Sequence, residues 1–158
     1  MTESAGDGTT IVLGLGNLLL GDEGWGVHVV RCLNELKLPG HVRVEEGGVG
    51  GFNLLGCLDG VKRVLVVDVM MMDSPPGELR LLGPGEKPEE PDKRILSFHQ
   101  VGVLELVKIW GLLGYEPEVS FLVTRPEKME WSTELSPALQ KAVRKAAKLI
   151  ERLCTESC

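Results

Sequence analysis

The chain has 158 residues, of which 43% are hydrophobic and 25% charged, and its formal net charge is −6. This length and composition predict one globular domain over residues 1–158, with a hydrophobic core of its own. The acidic balance argues against a nucleic acid or an anionic membrane as a partner, and no apolar run approaches the roughly 20 residues that cross a bilayer.

The two ends of the chain are expected to be flexible, over residues 1–9 and about 154–158. The first ten residues, MTESAGDGTT, lack the basic region and apolar core of a signal peptide. The four cysteines form no C-x-x-C pair, so they are interpreted as reduced thiols, with Cys32 and Cys57 buried and Cys154 and Cys158 in a frayed C-terminus. These features predict a cytoplasmic protein.

The stretch Ile11–Gly26, IVLGLGNLLLGDEGWG, combines a predicted strand over Thr10–Leu15 with a Gly-x-Gly turn and an acidic pair. A helix is predicted next, over Glu23–Leu36. A buried strand that ends in a glycine turn with carboxylates before a helix is a place where chemistry can occur. Asp22 is interpreted as the N-cap of the helix. For Glu23, stabilisation of the helix dipole and a role in chemistry are both open.

Two further apolar runs, Val42–Glu45 and Arg63–Asp68, are separated by glycines and by a predicted short helix over Phe52–Leu58. This β-α-β-α-β series predicts a parallel sheet with right-handed crossovers. Because the carboxyl ends of parallel strands open onto one crevice, Asp68 is expected beside the Gly14–Glu23 turn. An acid at a strand end is also a common turn residue.

The second half of the sequence predicts a short antiparallel edge strand over Glu78–Leu82 and a helix over Val101–Trp110. A strand over Glu118–Thr124 and a helix that starts near Ser136, with Pro137 at its first position, complete the series. Helical spacing predicts that one stripe of the last helix is buried: Leu139, Val143, Ala146, Ile150 and Leu153. The predicted fold class is a three-layer α/β/α domain with a mostly parallel, twisted five-stranded sheet.

His99 lies just before the helix predicted over Val101–Trp110. A lone histidine often only caps or packs, but this one can join Glu23 and Asp68 at one end of the sheet. Two carboxylates and one imidazole suit a borderline divalent ion such as nickel or zinc, with positions left for water or substrate. The sequence contains neither H-E-x-x-H nor G-x-S-x-G, so it gives no support to a conventional zincin or a serine hydrolase.

A dinucleotide site is the alternative interpretation of the glycine turn. The Rossmann fingerprint needs a third glycine, and Leu19 stands at that position. Asp22 and Glu23 would also face the phosphates at the helix N-terminus, where an anion site should be free of acids. A nucleotide-binding, Rossmann-like module is therefore the weaker hypothesis.

At these residues the sequence resembles the hydrogenase maturation proteases, the endopeptidases that trim the C-terminus of the nickel–iron hydrogenase large subunit. The family's opening pattern, G-x-G-N-x-L-x-x-D-(D/E)-G-x-G, is matched over Gly14–Gly26. The family's acid after the third strand falls on Asp68, and its H-Q-x-G segment falls on His99–Gly102. The resemblance extends from Ile11 to the last helix.

This resemblance implies that Glu23, Asp68 and His99 contact a metal and carry the chemistry with it. It implies a protease whose substrate is the large-subunit precursor, and the protein is expected to be a monomer. The precursor brings the nickel and loses a short C-terminal peptide, and zinc or another divalent metal can occupy the same site. A non-proteolytic chaperone that holds nickel through the same three residues is a further alternative.

The resemblance also implies that Glu46, Gly47 and Gly48 bind substrate. The family's loop after the second strand usually reads Asp-x-Gly-Thr, whereas this chain has Glu46-Gly47-Gly48-Val49, with a longer acid and no hydroxyl. The other interpretation is a flexible strand-to-helix turn that needs glycine for its backbone conformation.

Overall fold

The computed structural model describes residues 8–48, 60–84, 105 and 107–156. The helix predicted over Phe52–Leu58 and the start of the helix predicted from Val101 lie outside these residues. In chain order the elements are β1 (Thr9–Leu15), a 3-10 turn (Gly21–Gly24), α1 (Trp25–Leu33), β2 (Val42–Gly48), β3 (Val61–Val69), β4 (Leu79–Leu82), α2 (helical at 105 and 107–112), β5 (Glu118–Thr124) and α3 (Pro137–Glu156).

The five strands form one sheet in the order β2-β1-β3-β5-β4. The pairs β1–β2, β1–β3 and β3–β5 are parallel, and β4 runs antiparallel to β5 at the edge. The predicted mostly parallel sheet with an antiparallel edge strand is therefore confirmed. Because β1 and β3 are neighbours that run in one direction, their carboxyl ends lie side by side.

Alternating side chains along the strands build one hydrophobic cluster on each face of the sheet. On one face, Val12, Leu65 and Leu122 pack with residues of α1 and α3. On the other, Leu13 and Val66 belong to a cluster that includes Trp110 of α2. Helices thus cover both faces, which confirms the three-layer α/β/α arrangement. No helix in the described part of the chain is long and apolar enough to cross a membrane.

The last helix begins at Pro137, as predicted, and its inner stripe includes the fully buried Leu139 and Ile150. The same stripe reaches Cys154, which is buried. The interpretation of Cys154 as part of a frayed terminus is therefore wrong, because the helix continues to Glu156 and packs this thiol against the core. Cys57 and Cys158 lie outside the described residues.

Strand β2 is longer than predicted and includes two glycines that were expected to form a loop. Gly14 pairs with Glu46 and Leu15 with Gly48, so Gly47 is an extra residue, a β-bulge. A Cβ atom on Gly47 would lie 2.6 Å from Leu13 Cδ1 and 2.8 Å from Leu15 Cδ2. The loop prediction for Gly47 and Gly48 is wrong, because both residues belong to β2 and the missing Cβ of Gly47 lets this strand pack closely on β1.

Candidate active site

The turn between β1 and α1 packs its backbone tightly against the end of the sheet. Gly16 has a φ of 139°, a conformation that favours glycine, and a Cβ there would overlap the carbonyl oxygen of Glu23. A Cβ on Gly26 would overlap the carbonyl oxygens of Leu15 and Val67. Because glycine permits both approaches, α1 begins directly over the carboxyl ends of β1 and β3.

Glu23 lies in the 3-10 turn Gly21–Gly24 and is half-buried. Its amide donates to the Leu20 carbonyl oxygen at 3.2 Å, and its own carbonyl lies against Gly16. The helix predicted to start near Glu23 therefore starts with a 3-10 turn, and α1 itself begins at Trp25. The backbone that carries the Glu23 carboxylate is held in place by contacts on both sides.

Asp68 is the penultimate residue of β3, and its side chain is fully buried. Its Oδ1 accepts a hydrogen bond from the Val69 amide at 2.8 Å. The preceding residue, Val67, pairs with Gly14 of β1 and also lies against Gly26 at the start of α1. The structure therefore places Asp68 beside the turn that carries Glu23, as the topology argument predicts.

The other predicted site residues contribute differently. His99 lies outside the described residues, and among those that the structure describes no three His, Cys, Asp or Glu side chains are grouped to hold a metal ion. Glu46 forms an ion pair with Arg31 of α1, with Arg31 Nε 3.0 Å from Glu46 Oε2, and this hydrogen bond raises the pKa of Arg31. A role for Glu46, Gly47 and Gly48 in substrate binding stays a prediction.

Asp22 has a different role from the predicted one. It is fully buried, and its carboxylate accepts the amides of Glu127 and Lys128, each at 2.8 Å, and both the amide and the hydroxyl of Ser136, at 2.7 and 2.8 Å. The N-cap interpretation is wrong, because Gly24 precedes α1 and the Asp22 carboxylate points to the segment before α3. No local sequence signal could reveal this, since the partners lie 105 to 114 residues away.

The carboxyl end of the sheet thus brings together a half-buried glutamate and a fully buried aspartate. Removing a carboxylate from water is costly unless hydrogen bonds or a cation compensate its charge. Carboxylates in such a setting can bind a divalent cation or accept a proton as a general base. Both abilities are useful in hydrolysis.

Two solved structures have the same fold over nearly their whole length. One is the hydrogenase maturating endopeptidase HybD of Escherichia coli, with a TM-score of 0.80, 26% identity, and coverage of 94% of this chain and 93% of that one. The other is the NiFe hydrogenase maturation protease HybD of Thermococcus kodakarensis, with a TM-score of 0.79, 27% identity, and coverage of 92% and 99%. The chain therefore has the three-layer α/β/α fold of a class of endopeptidases.

The sequence comparisons agree with this class. The family model HycI, described as hydrogenase maturation protease, matches residues 27–153. The chain is 32% identical to the hydrogenase expression/formation protein HupD of Bradyrhizobium diazoefficiens, over 90% of this chain and 76% of that protein. It is 30% identical to the hydrogenase 2 maturation protease of Escherichia coli K12, over 93% and 91%. The chain belongs to the hydrogenase maturation protease family and is a hydrolase.

Proposed function

We propose that this protease removes the C-terminal peptide of a nickel–iron hydrogenase large-subunit precursor after the precursor has received its nickel. The observation that carries the proposal is the position of Asp68 at the carboxyl end of β3, next to β1, whose following turn carries Glu23, in a chain of the maturation protease family. The relatives' names, such as hydrogenase 2 maturation protease, support a hydrogenase as the substrate.

The two acids fit a divalent cation. Asp68 is fully buried, and a cation nearby offsets the cost of keeping a carboxylate charged away from water. Carboxylate oxygens together with an imidazole nitrogen from His99 are an ordinary donor set for nickel or zinc. In this proposal the nickel belongs to the substrate, and Glu23, Asp68 and His99 bind it so that a loaded precursor is seated in preference to an empty one.

Cleavage of a peptide bond needs a base that takes the proton from an attacking water. Both Glu23 and Asp68 are carboxylates that can accept this proton, and both are anchored on rigid backbone at the end of the sheet. A metal bound there polarises the scissile carbonyl or the water. The close packing at Gly16 and Gly26 holds the backbone of the turn that carries Glu23 against the ends of β1 and β3.

The decisive experiment compares two forms of the precursor. The protease is incubated with the nickel-loaded and with the nickel-free large-subunit precursor, and the size of the precursor is followed by mass spectrometry. We expect loss of a C-terminal peptide from the loaded form alone. No cleavage of either form would contradict the proteolytic function, and nickel transfer without cleavage would identify a chaperone instead.

The role of Glu23 is tested by Glu23→Gln, which keeps the shape of the side chain and removes its charge. We expect the rate of cleavage to fall about 10²-fold or more, since the variant loses both a cation ligand and a candidate base. Glu35→Gln is the matched control, because Glu35 is exposed beyond the end of α1. Unchanged nickel-dependent cleavage by Glu23→Gln would remove Glu23 from the chemistry.

A further inference from the structure

Three large apolar side chains are exposed beside the candidate active site. They are Leu19, Met129 and Trp131, with exposed fractions of 54%, 48% and 80%. We call these three residues the apolar docking face. An exposed apolar patch on a folded protein commonly marks an interaction site, and tryptophan is the side chain most enriched among the residues that dominate binding energy.

Backbone hydrogen bonds hold the two segments of the apolar docking face together. The Ser132 amide donates to the Leu19 carbonyl at 2.9 Å, and the Gly21 amide donates to the Ser132 carbonyl at 2.8 Å. Leu20 and Ser132 form a parallel bridge, so the residues before them, Leu19 and Trp131, lie on neighbouring segments. A surface that is already ordered loses little conformational entropy when a partner binds.

The buried Asp22 carboxylate fixes the apolar docking face relative to the turn that carries Glu23. It accepts the amides of Glu127 and Lys128, which begin the segment that carries Met129 and Trp131. The next residue along the chain is Glu23, so one turn joins the docking face to the candidate active site. A protein whose scissile segment reaches Glu23 therefore comes close to this neighbouring surface.

The charges around the apolar docking face are mainly acidic. A cleft of about 330 Å³ beside it is lined by Glu127, Glu130 and Glu134, with Lys128 as the basic residue among its described lining. Such a cleft suits a lysine or arginine side chain of a partner. A second copy of this chain would bring the same acids into opposition, and its net charge is also −6, which disfavours self-association here.

We propose that the apolar docking face binds the hydrogenase precursor, through an apolar patch on the precursor that is flanked by lysine or arginine. This proposal rests on the proposed function, since it takes the precursor as the substrate. The apolar contact supplies affinity, and the acidic cleft orients the partner so that its C-terminal segment reaches Glu23 and Asp68. The docking face thereby adds a recognition site that is separate from the metal-binding acids.

The test is Trp131→Ala, studied by steady-state cleavage of the nickel-loaded precursor. We expect KM to rise tenfold or more while kcat changes less than about twofold, because the variant loses binding energy that is shared by the ground and transition states. Leu112→Ala is the matched control: Leu112 is 87% exposed but lies at the end of α2, before β5 begins at the opposite end of the sheet. Its KM should equal that of the wild type.

A charge variant and a binding measurement complete the test. Glu130→Lys should also raise KM, by a factor that shrinks as salt increases. An unchanged KM in Trp131→Ala, or an equal rise in Leu112→Ala, would overturn the docking proposal while leaving the proteolytic function intact. A wild-type dimer that Trp131→Ala dissociates would also overturn it, since a second copy would then occupy the face.

The proteolytic function and the docking proposal can be contradicted by different results. If the wild-type protein binds the loaded precursor by calorimetry but never cleaves it, the proteolytic function is contradicted. In that case, loss of binding in Trp131→Ala, with binding retained in Leu112→Ala, would still support the docking face.

Discussion

Two regions of this protein are each centred on a fully buried aspartate, yet the two carboxylates are held in different ways. Asp22 receives hydrogen bonds from Glu127, Lys128 and Ser136, and so joins the turn after β1 to the start of α3. Asp68 accepts the amide of the next residue in its own strand and lies where the parallel strands end. Burial of an acid therefore does not by itself indicate catalysis, and the origin of its hydrogen-bond donors is more informative.

The energetic consequence for Asp22 follows from its hydrogen bonds to a distant segment of the chain. Hydrogen bonds to a charged group contribute about 1.5–3 kcal/mol each, and a buried donor left without an acceptor costs about 1–3 kcal/mol. Asp22 is therefore expected to stabilise the fold and the segment that carries Met129 and Trp131, whereas Asp68 is expected to serve the reaction. Replacement by asparagine should therefore mainly lower activity at Asp68 and mainly lower stability at Asp22.

The largest expected effect is that of Asp68→Asn on the reaction. The variant keeps the shape of the side chain and an oxygen that can accept the Val69 amide, so we expect it to fold. It loses the charge that binds a cation or takes a proton, so cleavage of the nickel-loaded precursor should slow by 10²-fold or more. Asp73→Asn, at an exposed position four residues after β3, is the control and should leave folding and cleavage unchanged. A stable variant with full activity would place the chemistry elsewhere.

Asp22→Asn should produce the reverse pattern. Its amide nitrogen would face either the Ser136 amide or the amides of Glu127 and Lys128, and would leave these donors without an acceptor. We expect the free energy of unfolding to fall by about 2–3 kcal/mol in urea titrations. Because the segment it anchors carries Trp131, the folded variant should show a raised KM with kcat largely preserved. A drop in kcat alone, with stability retained, would indicate that Asp22 is a catalytic residue and would contradict its structural role.

The smallest expected effect is that of His28 on the pH dependence of stability. Unlike the carboxylate of Asp22, its buried Nε2 has no hydrogen-bond partner among the described residues. Burial, with a smaller contribution from Arg31, lowers the pKa of His28 below its ordinary value of 6.5. The unfolded chain then binds more protons than the folded one as the pH falls below 6.5, so stability declines there.

The measurement for His28 is the free energy of unfolding between pH 7.5 and 5.5, in the wild type and in His28→Gln. The variant lacks the titrating group, so its stability should fall less over this interval. His41→Gln serves as the control, because His41 lies in the turn before β2 and outside α1. Parallel curves for the wild type and His28→Gln would show that the burial of His28 has no linkage to folding.

Local patterns determined much of the architecture. Unalternating apolar runs predicted parallel strands, and the bounds Glu118–Thr124 of β5 agree with the structure. The start of α3 at Pro137 also agrees, because proline is well suited to a first helical position. The adjacency of Asp68 to the Glu23 turn followed from topology, since the ends of neighbouring parallel strands meet at one edge.

The sequence by itself therefore determined most of the strands and helices, the adjacency of Asp68 to the turn that carries Glu23, and the family resemblance that the comparisons confirm. Only the tertiary structure decided that Asp22 binds the segment before α3, that Gly47 is a bulge packed on β1, and that Trp131 stands exposed beside Leu19. The physical reason is the distance along the chain over which each interaction acts. Apolar periodicity and caps act within a few residues, whereas the partners of a buried carboxylate and the neighbours of an exposed tryptophan are set by chain segments more than a hundred residues apart.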